Sequence, residues 1–304
     1  MNDTDARKQF LDQLFASGLF IPTGIAGFYG RSAEFESIVE GFSKLVDDFS
    51  RADGAERIFF PPLVPRTSLE RTSYLESMPH LAGVIHSFRG DDRAHRALLD
   101  TVEKGGEWGE FLDMTDLALA PAACYPLYPT CAGTVGEQGR LVDLSAAYVF
   151  RCEPSDDPAR LQMFRQREIV RIGTPGLVTA WRSLWLERGV ELLRGLGLDA
   201  TVEEAADPFF GRSGRMMAAT QRQQKLKFEV QVPICSEQHP TAVTSFNYHR
   251  EHFGRTFGIR AHDGTEAHTA CLGFGVERIA LALLKRHGLA TRDWPSLVRA
   301  QLWS

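Results

Sequence analysis

Leu272-Gly273-Phe274-Gly275-Val276-Glu277-Arg278-Ile279-Ala280-Leu281-Ala282-Leu283-Leu284 decides how this chain is read. An apolar strand ends in two glycines, and an arginine sits on the first turn of an apolar helix. A Gly-x-Gly turn lets a ligand come close to the backbone. An arginine at that turn can lie over a planar base or pair with a phosphate. Alone, the stretch reads as readily as a core helix with a surface arginine.

A second stretch makes it specific. Phe150-Arg151-Cys152-Glu153 is followed by a polar loop and then by Phe164-Arg165-Gln166-Arg167-Glu168. In type, order and separation the two stretches resemble motif 2 and motif 3 of the class II aminoacyl-tRNA synthetases. Within that class they resemble the seryl branch, its atypical zinc-dependent form in particular. The likeness covers residues 30 to 290. It implies an α+β fold, an antiparallel sheet flanked by helices, with residues 1–304 as a single catalytic domain. Residues 1–30 would form a helical extension and about 174–225 a helical insertion, with no tRNA-binding arm.

Composition agrees with a large globular core and excludes little else. The 304 residues are 43% hydrophobic and 24% charged, with a net charge of −5. No overall basic surplus speaks for nucleic acid as the main partner. Five scattered cysteines without a CxxC pair read as free thiols in a reducing cytoplasm. No apolar run approaches the roughly 18 residues of a membrane span.

Along the chain, residues 4–16 read as an amphipathic helix and 20–30 as an irregular Gly-rich, aromatic segment. Ser32 caps a second helix, with Phe35, Ile38, Val39, Phe42, Leu45, Val46 and Phe49 at helical spacing. A strand, Arg57 to Phe60, then meets prolines. Helix, strand and proline together resemble motif 1, the dimer-forming element of the class, and imply a homodimer. Residues 91–104 read as helix, 125–128 as strand and 140–150 as strand. Thr174-Pro175 opens another helix, and 201–217 reads as a helical insertion and a loop. Leu226 to Pro233 alternates as an antiparallel strand does.

The resemblance assigns chemistry residue by residue. Arg151 would hold the α-phosphate of ATP, where charge develops as a carboxylate attacks. Glu153 would accept from the adenine amino group. Arg160, with Leu161 beside it, would reach the distal phosphates, and Arg278 would stack on the adenine or hold the γ-phosphate. Mg²⁺ would accompany ATP. Pro129-Thr130-Cys131 resembles the seryl segment that touches the amino acid, and Thr244 to Tyr248 the segment holding the substrate pocket. Thr130, Cys131, Glu168, Ser245 and Asn247 are therefore the amino-acid candidates. Cys131, Glu168 and Cys271 are the expected Zn²⁺ ligands, leaving a fourth position for the substrate amino group. Cys124, Cys152 and Cys235 are expected to be buried or incidental thiols. Lys227 stands where seryl enzymes have an aspartate, and Thr241 where they have a glutamate that helps bind Mg²⁺.

A zinc-dependent adenylating core without tRNA apparatus resembles the bacterial amino acid:[carrier protein] ligases. That likeness implies activation of a small amino acid, glycine or alanine, and its transfer to the phosphopantetheine thiol of an acidic carrier protein. Arg182, Arg188, Arg194, Arg212, Arg215 and Arg222 are the candidate docking cations, with no tRNA and no membrane involved. Two other readings stay open from sequence: a tRNA-charging seryl-type enzyme lacking its arm, and an inactive regulatory paralogue.

Overall fold

The computed structural model describes residues 2–303. Helix α1 (Asp3–Ala16) leads into strands β1 (Phe20–Ile25) and β2 (Phe28–Arg31). The stretch read as irregular is thus an antiparallel hairpin. Helix α2 (Ala33–Ala52) begins at Ser32, whose side chain accepts from the Phe35 N–H, with Glu34 and Glu36 in the first turn. Its buried stripe is Phe35, Ile38, Val39, Phe42 and Val46, each contributing about 2 kcal/mol as an upper estimate.

Next come β3 (Glu56–Ile58), β4 (Leu63–Pro65), α3 (Arg66–Arg71), α4 (Tyr74–Ser77), β5 (Val84–Phe88), α5 (Asp92–Glu103) and β6 (Leu112–Leu119). Residues 125–128, expected as strand, instead run through turns into a 3-10 helix, Tyr128–Cys131. Short strand β7 (Gly133–Thr134) precedes the long hairpin β8 (Arg140–Phe150) and β9 (Met163–Gly173). Helix α6 (Pro175–Gly195) has proline at its start, but Thr174 makes no side-chain cap. Strand β10 (Thr201–Glu204) and helix α7 (Gly211–Gln223) follow, then β11 (Lys227–Val232), β12 (Thr241–Arg250), α8 (His252–Phe257), β13 (Ile259–Arg260), β14 (His268–Gly275), α9 (Val276–His287) and α10 (Ser296–Trp303).

The central sheet has seven strands in the order β10-β11-β12-β14-β9-β8-β3. Every pair is antiparallel except β3 with β8. Residues 174–225 are therefore not purely helical: β10 extends the sheet, and α6 packs on its back face. Gly189 of α6 sits there because a β-carbon would lie 2.9 Å from the Phe246 ring. Helices α2 and α9 cover the same back face, with Phe42 against Phe274 at 5.3 Å between ring centroids.

Strand alternation sends odd and even residues of β9 to opposite faces. Arg165 and Arg167 point back toward the helices. Arg165 pairs with Glu36 at 2.7 Å and Glu277 at 2.8 Å, and Arg167 pairs with Asp47 and Asp143. These buried pairs tie α2, β8, β9 and α9 together; removing one partner of such a pair costs about 3–5 kcal/mol. Gln166 and Glu168 point the other way, into the cavity. Among the described residues, no helix is long and apolar enough to cross a membrane.

Candidate active site

The sheet register assembles the front face. Lys227 lies opposite Asn247, which lies opposite Cys271. One step along, Ser245 lies opposite Gly273, which lies opposite Glu168. Four strands thus present one row of polar side chains to a cavity of about 500 Å³. Its walls come from Thr72, Ser73 and α4, the 121–125 turn, α7 and α8, and Arg151 and Asp207 also line it.

The 121–125 turn is pinned to β9 by two successive inward side chains. Gln166 accepts from the Ala123 N–H at 3.1 Å, and Glu168 accepts from the Cys124 N–H at 2.6 Å. This anchoring delivers Cys124, not Cys131, to the sheet. The ligand atoms of Cys124, Glu168 and Cys271 all lie within 4.8 Å of one another, and all three residues are buried. Cys131 is directed elsewhere: its sulfur accepts from the Arg140 guanidinium at 3.2 Å and contacts the Leu127 carbonyl. The expected ligand set is corrected accordingly, with Cys124 in place of Cys131. Thr130 donates to the Leu127 carbonyl, and neither Thr130 nor Cys131 lines the cavity. Of the amino-acid candidates the cavity brings together Glu168, Ser245 and Asn247.

The donor set fits a zinc ion. Ligand atoms around tetrahedral zinc stand roughly 3.5–3.8 Å apart, so this cluster needs only a small contraction. Burial raises the Cys124 and Glu168 groups toward their neutral forms. Contact with Cys124, then burial, does the same to Cys271. A divalent cation is what would hold two thiolates and a carboxylate ionised in such surroundings.

Next to this cluster stands a cationic group. Arg151 and Arg278 both face the Phe164 ring, their guanidinium carbons 5.6 and 5.9 Å from its centroid. Arg278 is braced by donating to the carbonyls of Ala159 and Ala242. Burial, then repulsion from Arg151 and Arg160, pulls its pKa down to about 10. Three arginines crowded this way suit a polyanion. Arg160 also lies 3.8 Å from Glu153 and is half exposed. The Leu161 side chain is buried in the core, which leaves its backbone for any nucleotide contact.

Reading the sequence missed Phe164 as a site residue, as well as Gln166, Asp207 and Gln221. Gln166 was accessible by strand alternation from Glu168. Asp207 carries no local signal, because its partners lie on other elements. Lys227 reaches Asp207 at 2.7 Å and Glu229 at 3.0 Å, and Gln221 of α7 bonds the same carboxylate at 2.8 Å. Burial opposes ionisation of Asp207, but Lys227 and Gln221 outweigh it and hold the pKa at about 2. A depressed carboxylate stabilises the fold above its unfolded pKa and loses that contribution as pH falls through the folded value. Denaturant titrations at pH 4 and pH 2 should show this loss in the native chain, and Asp207→Asn should shrink it.

Of the six docking candidates, three are engaged within the fold. Arg182 donates to the carbonyls of Lys225 and Leu226, Arg188 pairs with Asp53, and Arg194 donates to the Ala200 carbonyl. Arg212, Arg215 and Arg222 stand exposed on α7, the helix whose Met217 and Gln221 form a wall of the cavity.

No protein-family model matches the chain. It is 45% identical over 302 residues to "Amino acid--[acyl-carrier-protein] ligase 1" of Bradyrhizobium diazoefficiens, an alignment covering 98% of this chain and 92% of that protein. Its fold is similar to that of M. kandleri SerRS, solved with A. aeolicus tRNASec: TM-score 0.82, 23% identity, 97% of this chain covered. It is also similar in fold to seryl-tRNA synthetase from Pyrococcus horikoshii solved with ATP, with a TM-score of 0.70, 16% identity and 96% of this chain covered. The chain spans 60% and 62% of those two structures. They establish the class II synthetase core as its fold.

Proposed function

The chain belongs to the amino acid–[acyl-carrier-protein] ligase family, and from that premise we propose that it joins a small amino acid, glycine or alanine, to the phosphopantetheine thiol of a carrier protein through an aminoacyl-adenylate. The observation that carries this reading is that Arg151, which shares the Phe164 ring with Arg278, lines the same cavity as Cys124, Glu168 and Cys271.

In the first step the amino-acid carboxylate attacks the α-phosphorus of ATP, and pyrophosphate leaves. Arg151 neutralises the charge that builds on the α-phosphate oxygens. Adenine lies between Phe164 and Arg278, with Glu153 accepting from its amino group. Arg160 swings from Glu153 to the distal phosphates, which Mg²⁺ accompanies. A zinc ion held by Cys124, Glu168 and Cys271 would supply an open coordination position for the substrate amino group. Ser245 and Asn247 orient the amino acid beside that position. In the second step the pantetheine thiol attacks the acyl carbon, AMP leaves and the thiol proton passes to solvent. Orientation within the cavity accounts for much of the rate.

The acidic carrier docks on α7 through Arg212, Arg215 and Arg222. Replacing all three by alanine should raise the KM for the carrier by about tenfold, at about 0.5 kcal/mol per exposed charge pair. Salt should raise the native KM in the same direction. Amino-acid-dependent pyrophosphate exchange should stay unchanged, since these arginines are outside the cavity. The reading includes a homodimer formed through α2 and β3, with Phe59 beside β3 68% exposed and available for burial. It also includes a cytoplasmic location, in keeping with five free cysteines.

The test is intact mass of a phosphopantetheinylated carrier protein after incubation with enzyme, ATP, Mg²⁺, Zn²⁺ and single amino acids, with total tRNA assayed in parallel. A gain of one amino-acid residue, reversed by hydroxylamine, is expected. Label on tRNA alone, or on neither acceptor, overturns the proposal.

A further inference from the structure

Two aromatic groups without a part in the steps above, Tyr128 and His249, stand beside the cysteine pair together with the Asn247 amide. Tyr128 is fully buried, and its hydroxyl makes no hydrogen bond among the described residues. It sits four residues after Cys124, and burial together with Cys124, Cys271 and Glu168 pushes it well above the usual phenol range. Its ring is stacked on Phe253 at 3.9 Å between centroids, so the hydroxyl cannot turn away cheaply. A buried unpartnered hydroxyl calls for an acceptor that the thiol form of Cys124 supplies poorly.

The other sulfur has two donors within reach. Asn247 Nδ2 lies 3.4 Å from Cys271 Sγ, and His249 Nε2 lies 3.7 Å from it. His249 Nδ1 faces Thr269 Oγ1 at 3.0 Å. A thiolate can only accept. Once Cys271 is a thiolate, His249 satisfies both contacts in one way: Thr269 donates to Nδ1, and Nε2–H donates to sulfur. Glu168 already receives the Cys124 N–H. Cys271 and Glu168 therefore each have a protein donor within reach, and the unpartnered Tyr128 hydroxyl is left for the Cys124 sulfur.

We propose that Tyr128, Asn247 and His249 form a hydrogen-bond shell on the sulfurs of Cys124 and Cys271 that sets how tightly the cluster grips a divalent metal. The inference rests on the zinc reading given above. Two thiolates and a carboxylate carry three negative charges against two on the cation. The shell spreads the excess over N–H and O–H donors around three buried ligand side chains. Protons released from the thiols on binding go to solvent.

The experiment measures zinc content of the purified chain, the rate of zinc transfer to a chromogenic chelator, and the sulfur-to-metal charge-transfer band after Co²⁺ substitution. Native protein should hold one zinc per chain. Tyr128→Phe should release it about 10- to 100-fold faster, the range for loss of a partner to a metal ligand. Its Co²⁺ band should move to longer wavelength, because an unbonded thiolate gives up charge more easily. His249→Leu should do the same, and His249→Gln, whose amide can replace Nε2–H, should restore part of the effect. Circular dichroism checks that each variant is folded; should Tyr128→Phe fail, the Leu and Gln pair decides. Native metal content with unchanged release and spectrum in the variants overturns the shell alone. A native chain that binds neither Zn²⁺ nor Co²⁺ overturns the metal reading beneath it.

Discussion

Cys124→Ala is expected to lose its zinc and at least about 10³-fold of amino-acid-dependent pyrophosphate exchange, while Cys131→Ala keeps both within about twofold. The loss reflects several kcal/mol of substrate fixation by a metal centre. The contrast follows from where each sulfur lies. Cys124 shares a buried cluster with Glu168 and Cys271, and its own N–H holds the Glu168 carboxylate. Cys131 accepts from Arg140 outside the cavity. Alanine at 131 removes that contact and a small buried group, a stability cost of about 1 kcal/mol with no change at the metal. Zinc content and exchange rate, measured on both variants, check the prediction. Equal loss from both would return Cys131 to the ligand set; loss from neither would remove the cluster from catalysis. Chelation of the native enzyme should reproduce the Cys124→Ala phenotype and added Zn²⁺ should reverse it.

Arg151→Ala should lower kcat for adenylation by about 10²–10³-fold, the loss for one donor to a developing oxyanion. Arg151→Lys should recover little, because an ammonium cannot cover two phosphate oxygens as a planar fork does. Arg278→Ala should show a different pattern. Its guanidinium lies over the Phe164 ring, where the proposed role is to stack on adenine, so the variant should raise the KM for ATP more than it lowers kcat. Initial rates of pyrophosphate exchange over a range of ATP concentrations separate the two effects. Arg278→Ala relieves crowding among three arginines but leaves the Ala159 and Ala242 carbonyls without their donor, so thermal melts should show a net loss of stability.

The legible parts of this chain share a physical feature. Helix α2 repeats apolar residues every three or four positions behind a serine cap, and strand β11 alternates. Both signals are local, and both elements formed as read. Glu168 and Cys271 lie on long strands, Arg151 directly after one and Arg278 in the first turn of the helix that follows another, where sequence position largely fixes spatial position. The hairpin β1–β2 was hidden because its outward face carries Ile21, Ile25 and Phe28, which blur the alternation. Residues 125–128 looked like strand from aromatic content, yet their backbone is turn and 3-10 helix because Gln166 and Glu168 capture the preceding turn.

By itself the sequence determined the class II core, and it singled out Arg151 and Arg278 and two of the three residues of the Cys124–Glu168–Cys271 cluster. The tertiary structure alone decided which cysteine completes that cluster, which arginines remain exposed for a partner, and that Asp207, Gln221 and Lys227 meet. The difference is one of range. Periodicity and strand register are set by neighbours along the chain. Cys124 and Asp207 sit on irregular segments, whose place is fixed by side-chain hydrogen bonds to residues 14 to 44 positions away in sequence. Nothing in their immediate neighbours encodes those bonds.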